Sequence, residues 1–562
     1  MAHLSRRSRT VLGSVGLAGL LGGLALPATS ALGAEDGGST HHVLLISVDG
    51  LHQSDLAWYV STHPDSTLAH LADRGVDYSN ASTPFPSDSF PGMVAQVTGG
   101  NPASTGVYYD DTWNHDLIDP AKLSGIANPT PADCAKLTPG VEVTYFEALD
   151  LNQHSIDAGQ GLSGLPGSIL QMTGQPRDVI NAAALPVDPA TCKPVYPHQY
   201  LKTNTIFEVA RKSGLVTAWS DKHPAYEILD GPSGSGVQDF FTPEINSQAQ
   251  GLPAGADWTT DNAKTQQYDG YKVQAVLNWI DGLDHSGAKQ IGTPAIFGMN
   301  FQSVSTGEKL PVSGGQAGGY LADGATPGPV LSGALDFVDR SLGQMVAEIH
   351  KQHLDGSTTI IVSAKHGQSP QNPAALTRID DGAITSAINA AWAKIHPDNP
   401  NLIVFSVNDD GFLAWTSDRS PTATEFVRHW LLTHPATGND INGNPVTNIP
   451  ASGLTQVYAG AAAADLIGVP AGDPRVPDVI GIARYGTVYT GGQGKIAEHG
   501  GDNPQDRNVP ILVAGPSTAH GRMNTAPVET TQIAPSILHL LNLNPNALQS
   551  VQQEGTPVLP GL

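Results

Sequence analysis

Charged residues are scarce in this chain: Asp, Glu, Lys and Arg make up only 14% of its 562 residues, well below the usual quarter. Bases are scarcer still, since 28 Lys and Arg stand against 52 Asp and Glu, which gives a net charge of -24. A surface of this sign repels phosphate backbones and argues against a nucleic acid duplex as a partner. It still permits a small anionic substrate, because a local metal or lysine can outweigh the overall field.

Cysteine is almost absent. The two cysteines, Cys134 and Cys192, both lie in Pro-rich segments. Neither belongs to a CxxC motif or has a neighbouring His pair, so metal binding through cysteine is not expected. In an oxidising compartment, two cysteines in similar loops most simply form one disulfide.

Long apolar runs are lacking in the chain after its N-terminal segment. No later stretch approaches 18 apolar residues, so we expect no stable membrane insertion. The N-terminus itself has an Arg6-Arg7 pair, an apolar Gly-rich run over Val11–Leu26, and small residues. This pattern predicts a secretory signal over residues 1–34, cleaved between Ala31 and Ala34. The Arg pair favours twin-arginine export and is also compatible with the general secretory route. An uncleaved anchor is the less favoured alternative, so we predict a secreted, extracytoplasmic protein.

Apolar runs that end at polar residues predict a parallel β-sheet. The first covers Val43–Val48 and ends at Asp49-Gly50, which is typical of a buried parallel strand. Further runs of this type occupy Val216–Ser220, Ala295–Met299, Thr358–Ser363 and Pro510–Ala514. Helical patterns lie between them, and alternating strands and helices indicate an α/β fold with a doubly wound sheet.

Two segments interrupt this alternation. Residues 108–197 are rich in Pro, Asp, Gly and Thr and hold both cysteines, so we interpret them as a disulfide-stapled insertion. Residues 377–475 mix helix and strand patterns and are interpreted as an inserted α+β subdomain. The core is assigned to residues 41–107, 198–376 and 476–562.

Polar side chains follow the predicted strands. In an open parallel sheet ligands bind at the carboxyl ends of the strands, so these side chains should meet at one edge. They are Asp49, Asp221-Lys222-His223, Asn300 and Lys365-His366, with His52 and Gln302 nearby and of less weight. A carboxylate such as Asp49 would be costly to bury unpaired and calls for a metal or a cation, although an Asp before Gly also caps turns.

Four motifs occur in a fixed order: Val43–Gly50, Ser87–Gly92, Ile361–Gly367 and Glu498–Gly501. Together they resemble the alkaline phosphatase superfamily, and most closely its type I phosphodiesterases/nucleotide pyrophosphatases. The resemblance implies an α/β/α sandwich with a mostly parallel central sheet and inserted subdomains. It also implies hydrolysis of phosphate esters.

Ser89 is the candidate nucleophile. The family places Thr or Ser just before Phe-Pro, and Phe90-Pro91 follows Ser89 here. Pro91 suits the first turn of a helix, whose free amides favour an alkoxide and phosphoryl oxygens. The alternative is an ordinary capping serine. Ser87 is a weaker candidate because it does not precede Phe-Pro.

The resemblance implies two zinc ions, and this chain alters the ligands of both. One ion would be held by Asp49, Ser89 and His366, but Lys365 stands where the family has Asp. An ammonium supplies positive charge without a metal and can contact phosphate oxygens directly.

The ligands of the other ion are an Asp, a His four residues later, and a C-terminal His. Here they become Asn300, Val304 and His499, so only the last is retained. Asp221 or His223 could supply replacement ligands, although the plainer interpretation is a polar turn. We therefore expect the site to bind a divalent metal, namely zinc. The sequence does not decide between one ion and two.

The predicted function is hydrolysis of a small phosphodiester or phosphomonoester. Ser89 would attack phosphorus, and Lys365, Asn300 and His499 would stabilise the leaving group or the phosphoryl oxygens. Two alternatives stay open: a secreted binding protein on a degenerate phosphatase core, and a sulfate- or phosphonate-cleaving relative. Neither the oligomeric state nor the substrate follows from the sequence.

Overall fold

The computed structural model describes residues 39–145 and 149–562. The predicted signal segment, residues 1–34, lies outside the described residues. Within them, no helix combines the length and the apolar character that a bilayer crossing requires.

The fold is built around an eight-stranded sheet. Across the sheet the strands are Arg522–Asn524, Gly75–Tyr78, Leu512–Ala514, Thr358–Ser363, His42–Val48, Ile296–Phe301, Ala218–Ser220 and Asp239–Phe241. Leu512–Ala514 runs antiparallel to both neighbours, and the other pairs in this sheet are parallel. The predicted mostly parallel sheet is confirmed.

Helices cover both faces of this sheet because alternate residues of a strand point to opposite sides. Val43 and Leu45 pack in one core, which includes residues of the helices Ser89–Thr98, Ile206–Lys212 and Ile533–Leu540. Leu44, Ile46 and Val48 pack in the other, with the helices Gln53–Thr62, Thr67–Arg74, Asn262–Ile280, Ser303–Lys309 and Pro329–Lys351. The result is the predicted α/β/α sandwich.

Two smaller four-stranded sheets lie beyond this core. One contains Pro445–Ile449, Ala436–Asn439, Thr377–Ile379 and Thr487–Tyr489; the other contains Ile403–Val407, Gly411–Thr416, Val479–Ala483 and Leu454–Ala459. The helices Asp381–Ala393, Pro421–Thr433 and Ala461–Ile467 lie in the same stretch of chain. Shorter helices occupy Pro102–Thr105, Pro131–Cys134, Pro197–Tyr200, Pro504–Arg507 and Gln549–Glu554. The domain boundaries given above stay a prediction.

The Cys-containing insertion is held together by local pairing. Asp111–Asn114 pairs with Val141–Thr144, and Val187–Asp188 pairs with Lys193–Pro194. Cys134 and Cys192 form the predicted disulfide, with 5.7 Å between their Cα atoms.

Candidate active site

The carboxyl ends of the central strands carry the polar residues that the sequence singled out. The register aligns Ser47 with both Asn300 and Ser363, so Asp49 and Lys365 emerge beside each other just beyond their strands. Asp221 follows the strand Ala218–Ser220 in the same way. The parallel register therefore gathers these side chains at one edge of the sheet, as predicted.

Ser89 begins the helix Ser89–Thr98 and is fully buried. Asp88 caps the helix, since its Oδ1 accepts a hydrogen bond from the Phe90 amide at 3.2 Å. The helix packs closely on the strand-end loop: a Cβ atom added to Gly92 would lie 2.1 Å from the carbonyl oxygen of Lys365. Only glycine fits this approach, which fixes Ser89 relative to Lys365.

Two nitrogen groups contact the Ser89 hydroxyl. His366 Nε2 lies 3.1 Å from Ser89 Oγ, and Lys222 Nζ donates to the same oxygen at 3.1 Å. Asp49 Oδ2 is farther away, at 3.5 Å. Burial lowers the pKa of His366 to about 3, so the imidazole is neutral at pH 7. Its Nε2 can then accept a hydrogen bond from the Ser89 hydroxyl.

Asp49 is surrounded by donors. Gln302 Nε2 donates to its Oδ2 at 2.5 Å, and the Asn300 amide, oriented to satisfy its hydrogen bonds, donates to Oδ1 at 2.9 Å. Lys222 Nζ and Lys365 Nζ each lie 4.0 Å from a carboxylate oxygen. Burial alone would raise the pKa of Asp49, but the nearby charges, led by Lys365, hold it well below its ordinary value.

Lys365 is fully buried and paired. Its ammonium donates to Asp221 Oδ1 at 2.8 Å and to the Tyr226 hydroxyl at 2.7 Å. Burial lowers the pKa of Lys365, while Asp221 and Asp49 act in the opposite direction. Asp221, considered from the sequence as a replacement metal ligand, is thus engaged by an ammonium group.

The two remaining histidines have different surroundings. The His499 ring lies 4.1 Å from the His366 ring, and its Nδ1 is 3.7 Å from Asp88 Oδ2. His223 is fully buried against Phe90 and Tyr226, and within the described part of the chain neither of its ring nitrogens has a hydrogen-bond partner. His499 therefore lies beside the candidate site, and His223 packs behind it.

Lys222 is the residue that sequence reasoning undervalued. It was grouped with Asp221 and His223 as a polar turn, yet its ammonium reaches Ser89 from the neighbouring strand end. Its position two residues after the strand Ala218–Ser220 is the available signal. Gln302, given little weight from the sequence, contacts Asp49 directly.

A cleft of about 420 Å³ opens beside these residues, within the range of small-molecule sites. Its walls carry both signs of charge, from Lys222, Lys309, Lys495, Asp110, Asp111, Asp257, Asp409 and Glu498. Lys309 forms a 2.7 Å ion pair with Glu498. Lys222, Gln302 and His499 line the cleft and connect it to the buried residues around Ser89.

The residues around Ser89 do not fit the two divalent ions implied by the resemblance. Unit charges 4 Å apart repel by about 4 kcal/mol at an effective dielectric constant of 20, and a divalent ion doubles this. Both ammonium groups lie 4.0 Å from an Asp49 oxygen, so an ion bound to that carboxylate would have both positive groups close by. Lys222 also occupies a donor position on Ser89. Val304 lies in the hydrophobic core and offers no ligand.

The charge of Asp409 should change the affinity for substrate near neutral pH. Burial, with repulsion from Glu498, raises the pKa of this cleft residue to about 7. Because the raised pKa disfavours the charged form in the folded state, the protonated carboxyl stabilises the fold fully below about pH 4. This stabilisation is lost as the pH rises through 7. Below pH 7 the cleft therefore has one negative charge fewer, which favours an anionic substrate.

We expect KM for a phosphodiester, whose own charge is constant here, to fall roughly three- to tenfold between pH 8 and pH 6. Asp409→Asn should remove this dependence. An Asp409→Asn enzyme with the same KM profile as the wild type would contradict the assignment.

Comparisons with known proteins agree with this architecture. The sequence model of the family described as type I phosphodiesterase / nucleotide pyrophosphatase matches residues 43–504. A structure of murine ectonucleotide pyrophosphatase/phosphodiesterase 5, in an inactive form in complex with AMP, is 12% identical, covers 90% of this chain and 96% of its own, and gives a TM-score of 0.52. A second structure of that murine protein is 13% identical, covers 90% of this chain and 95% of its own, and gives a TM-score of 0.51. No curated protein matches the sequence significantly.

Proposed function

We propose, since this chain belongs to the type I phosphodiesterase/nucleotide pyrophosphatase family, that it hydrolyses small phosphate esters with Ser89 as the nucleophile. Family membership makes it a phosphoric ester hydrolase. The observation that supports the finer proposal is the position of Ser89 Oγ, at a helix N-terminus and 3.1 Å from both His366 Nε2 and Lys222 Nζ.

The chemistry proceeds in two displacements. Ser89 Oγ attacks phosphorus, its proton passes to His366 Nε2, and the bond to the leaving oxygen breaks as that oxygen takes a proton from solvent, to which His366 returns the serine proton. Water then attacks the phosphoserine, the bond between phosphorus and Ser89 Oγ breaks, and the serine regains a proton. The ammonium of Lys222 and the first amides of the helix stabilise the phosphoryl oxygens throughout.

The substrate is proposed to be a small nucleotide-like phosphodiester or phosphomonoester. The cleft volume of about 420 Å³ suits a ligand of this size, and one similar structure, of the murine protein, is a complex with AMP. The net charge of -24 disfavours a nucleic acid duplex. We place the protein outside the cytoplasm, in keeping with its disulfide.

Members of the family generally bind divalent metals. Within the described residues, two groups of side chains could hold an ion: His52, Asp55 and Glu308, and Asp409, Glu498 and His499. Neither includes Ser89 or Asp49, and Tyr320 already bonds to Asp55 and Glu308 at 2.9 Å. Zinc stays a prediction of the sequence.

The direct test is to trap the phosphoserine. The purified protein would be incubated with a panel of nucleotide diesters and monoesters, quenched in acid, digested, and analysed by mass spectrometry. We expect turnover of at least one ester and a phosphoryl group on the peptide that contains Ser89. If the panel shows tight binding with neither turnover nor phosphoserine, the binding-protein alternative is the correct one.

A further inference from the structure

Two ammonium groups, those of Lys222 and Lys365, supply positive charge close to Ser89 and Asp49. Lys222 is largely buried, with 12% of its side chain exposed, and donates to Ser89 Oγ at 3.1 Å. Lys365 is fully buried and 2.8 Å from Asp221. Each ammonium is 4.0 Å from an oxygen of Asp49.

We propose that Ser89 transfers the phosphoryl group without a resident divalent cation, and that Lys222 takes the place of the cation at the nucleophile. Lys365 is a positioning residue, which balances Asp49 and Asp221 so that no second cation is needed. This inference rests on the proposed function and names how that same site works.

The hydrogen bonds of Asp49 support this assignment. Each oxygen of Asp49 already accepts a hydrogen bond within the protein, Oδ2 from Gln302 and Oδ1 from the Asn300 amide. The two ammonium groups, each 4.0 Å from a carboxylate oxygen, add the opposite charge. They also keep Asp49 ionised while it is buried, a role that an ion would otherwise fill.

The position of Lys222 matches the role given to it. The groups that most accelerate such reactions contact the oxygens on which negative charge develops. Lys222 donates a hydrogen bond to the attacking oxygen and also lines the cleft. The same ammonium can therefore stabilise negative charge first on the serine oxygen and then on the phosphoryl group. The bonds formed and broken are those of the two displacements given above, and no further reactant is required.

Removal of metal tests the inference on the wild-type protein. Chelator-treated protein would be analysed for bound metal by elemental mass spectrometry and assayed with a phosphodiester that it hydrolyses. We expect less than one tenth of an ion per chain, with activity within twofold of the untreated protein and no increase on adding zinc. Activity that disappears with the metal and returns with zinc would overturn the inference and leave the proposed function intact.

Substitution of Lys222 tests the same point from the side of the protein. Lys222→Met should lower kcat about 10²–10³-fold, in line with the loss of one oxyanion donor. Lys222→Arg, which keeps the positive charge, should retain part of the wild-type kcat. Lys202→Ala, which breaks a 3.1 Å ion pair with Asp473 outside the cleft, is the matched control and should keep wild-type kcat. Full activity in a folded Lys222→Met variant would refute the role of Lys222.

A further variant, Lys365→Asp, supplies the carboxylate that the resemblance leads one to expect. It would place three acidic side chains together, with Asp49 and Asp221, and should therefore gain zinc affinity. We expect zinc to raise the Tm of Lys365→Asp and to leave that of the wild type unchanged. An equal rise in the wild type would show a resident metal site and contradict the inference. If no form of the protein turns over any ester or forms phosphoserine, the proposed function itself fails.

Discussion

Ser89→Ala is expected to reduce phosphodiester hydrolysis by roughly 10⁴- to 10⁶-fold, the range found when one residue of a serine hydrolase's catalytic set is removed. The attacking oxygen is lost, while Lys222, His366 and the helix N-terminus remain to bind the phosphoryl group. KM should therefore change much less than kcat. Steady-state kinetics and the phosphoserine assay would give both quantities.

Ser87→Ala is the matched control. Ser87 is also buried, but it donates to the Asp506 carbonyl at 2.5 Å and bonds to the Thr83 hydroxyl at 2.7 Å. Its removal should cost about 1–3 kcal/mol of stability, because buried partners lose their hydrogen bonds, with kcat within severalfold of the wild type. The reverse pattern, with Ser89→Ala active and Ser87→Ala inactive, would move the nucleophile to position 87.

Asp221→Asn should have the largest effect on stability. It removes the close partner of Lys365 in an ion pair where both side chains are fully buried. Removing one member of such a pair costs about 3–5 kcal/mol, since the other charge is left unpaired. Urea unfolding should show this loss as a lower midpoint with an unchanged slope.

The double variant Asp221→Asn/Lys365→Met completes the cycle. It removes both charges, so we expect it to recover more than half of the loss. Lys136→Met, which breaks an exposed ion pair with Asp133 and leaves the bonds of Asp133 to Thr130 in place, should leave the midpoint unchanged. A double variant less stable than both single variants would show that the two residues act independently, contrary to the ion-pair account.

Much of the candidate site could be predicted because the sheet is parallel. Asp49, Asn300 and His366 each lie at or just after an apolar strand, and strand ends meet at one edge whatever the loops do. Ser89 could be placed because Phe90-Pro91 marks a helix start. The disulfide followed from the number of cysteines, since Cys134 had only one other cysteine to bond.

The role of Lys222 could not be predicted in this way. A lysine side chain has a flexible four-carbon stem, so its direction depends on the packing around it. Here the neighbouring Asp221 is buried in an ion pair with Lys365. The same limit applies to His223, which packs against Phe90 from a distant position in the sequence as well as against nearby Tyr226. Sequence order identifies which residues emerge at the sheet edge, whereas tertiary contacts decide which of them reach the nucleophile.

The pairing of Lys222 and Lys365 with Asp49 and Asp221 has a consequence for product release. Two carboxylates and two ammonium groups sum to zero, so a departing phosphate is held only by hydrogen bonds and by the partial charge of the helix N-terminus. A centre with two dications would hold the same ion far more tightly. Product inhibition by inorganic phosphate should therefore be weak, and turnover should continue in surroundings where phosphate is plentiful.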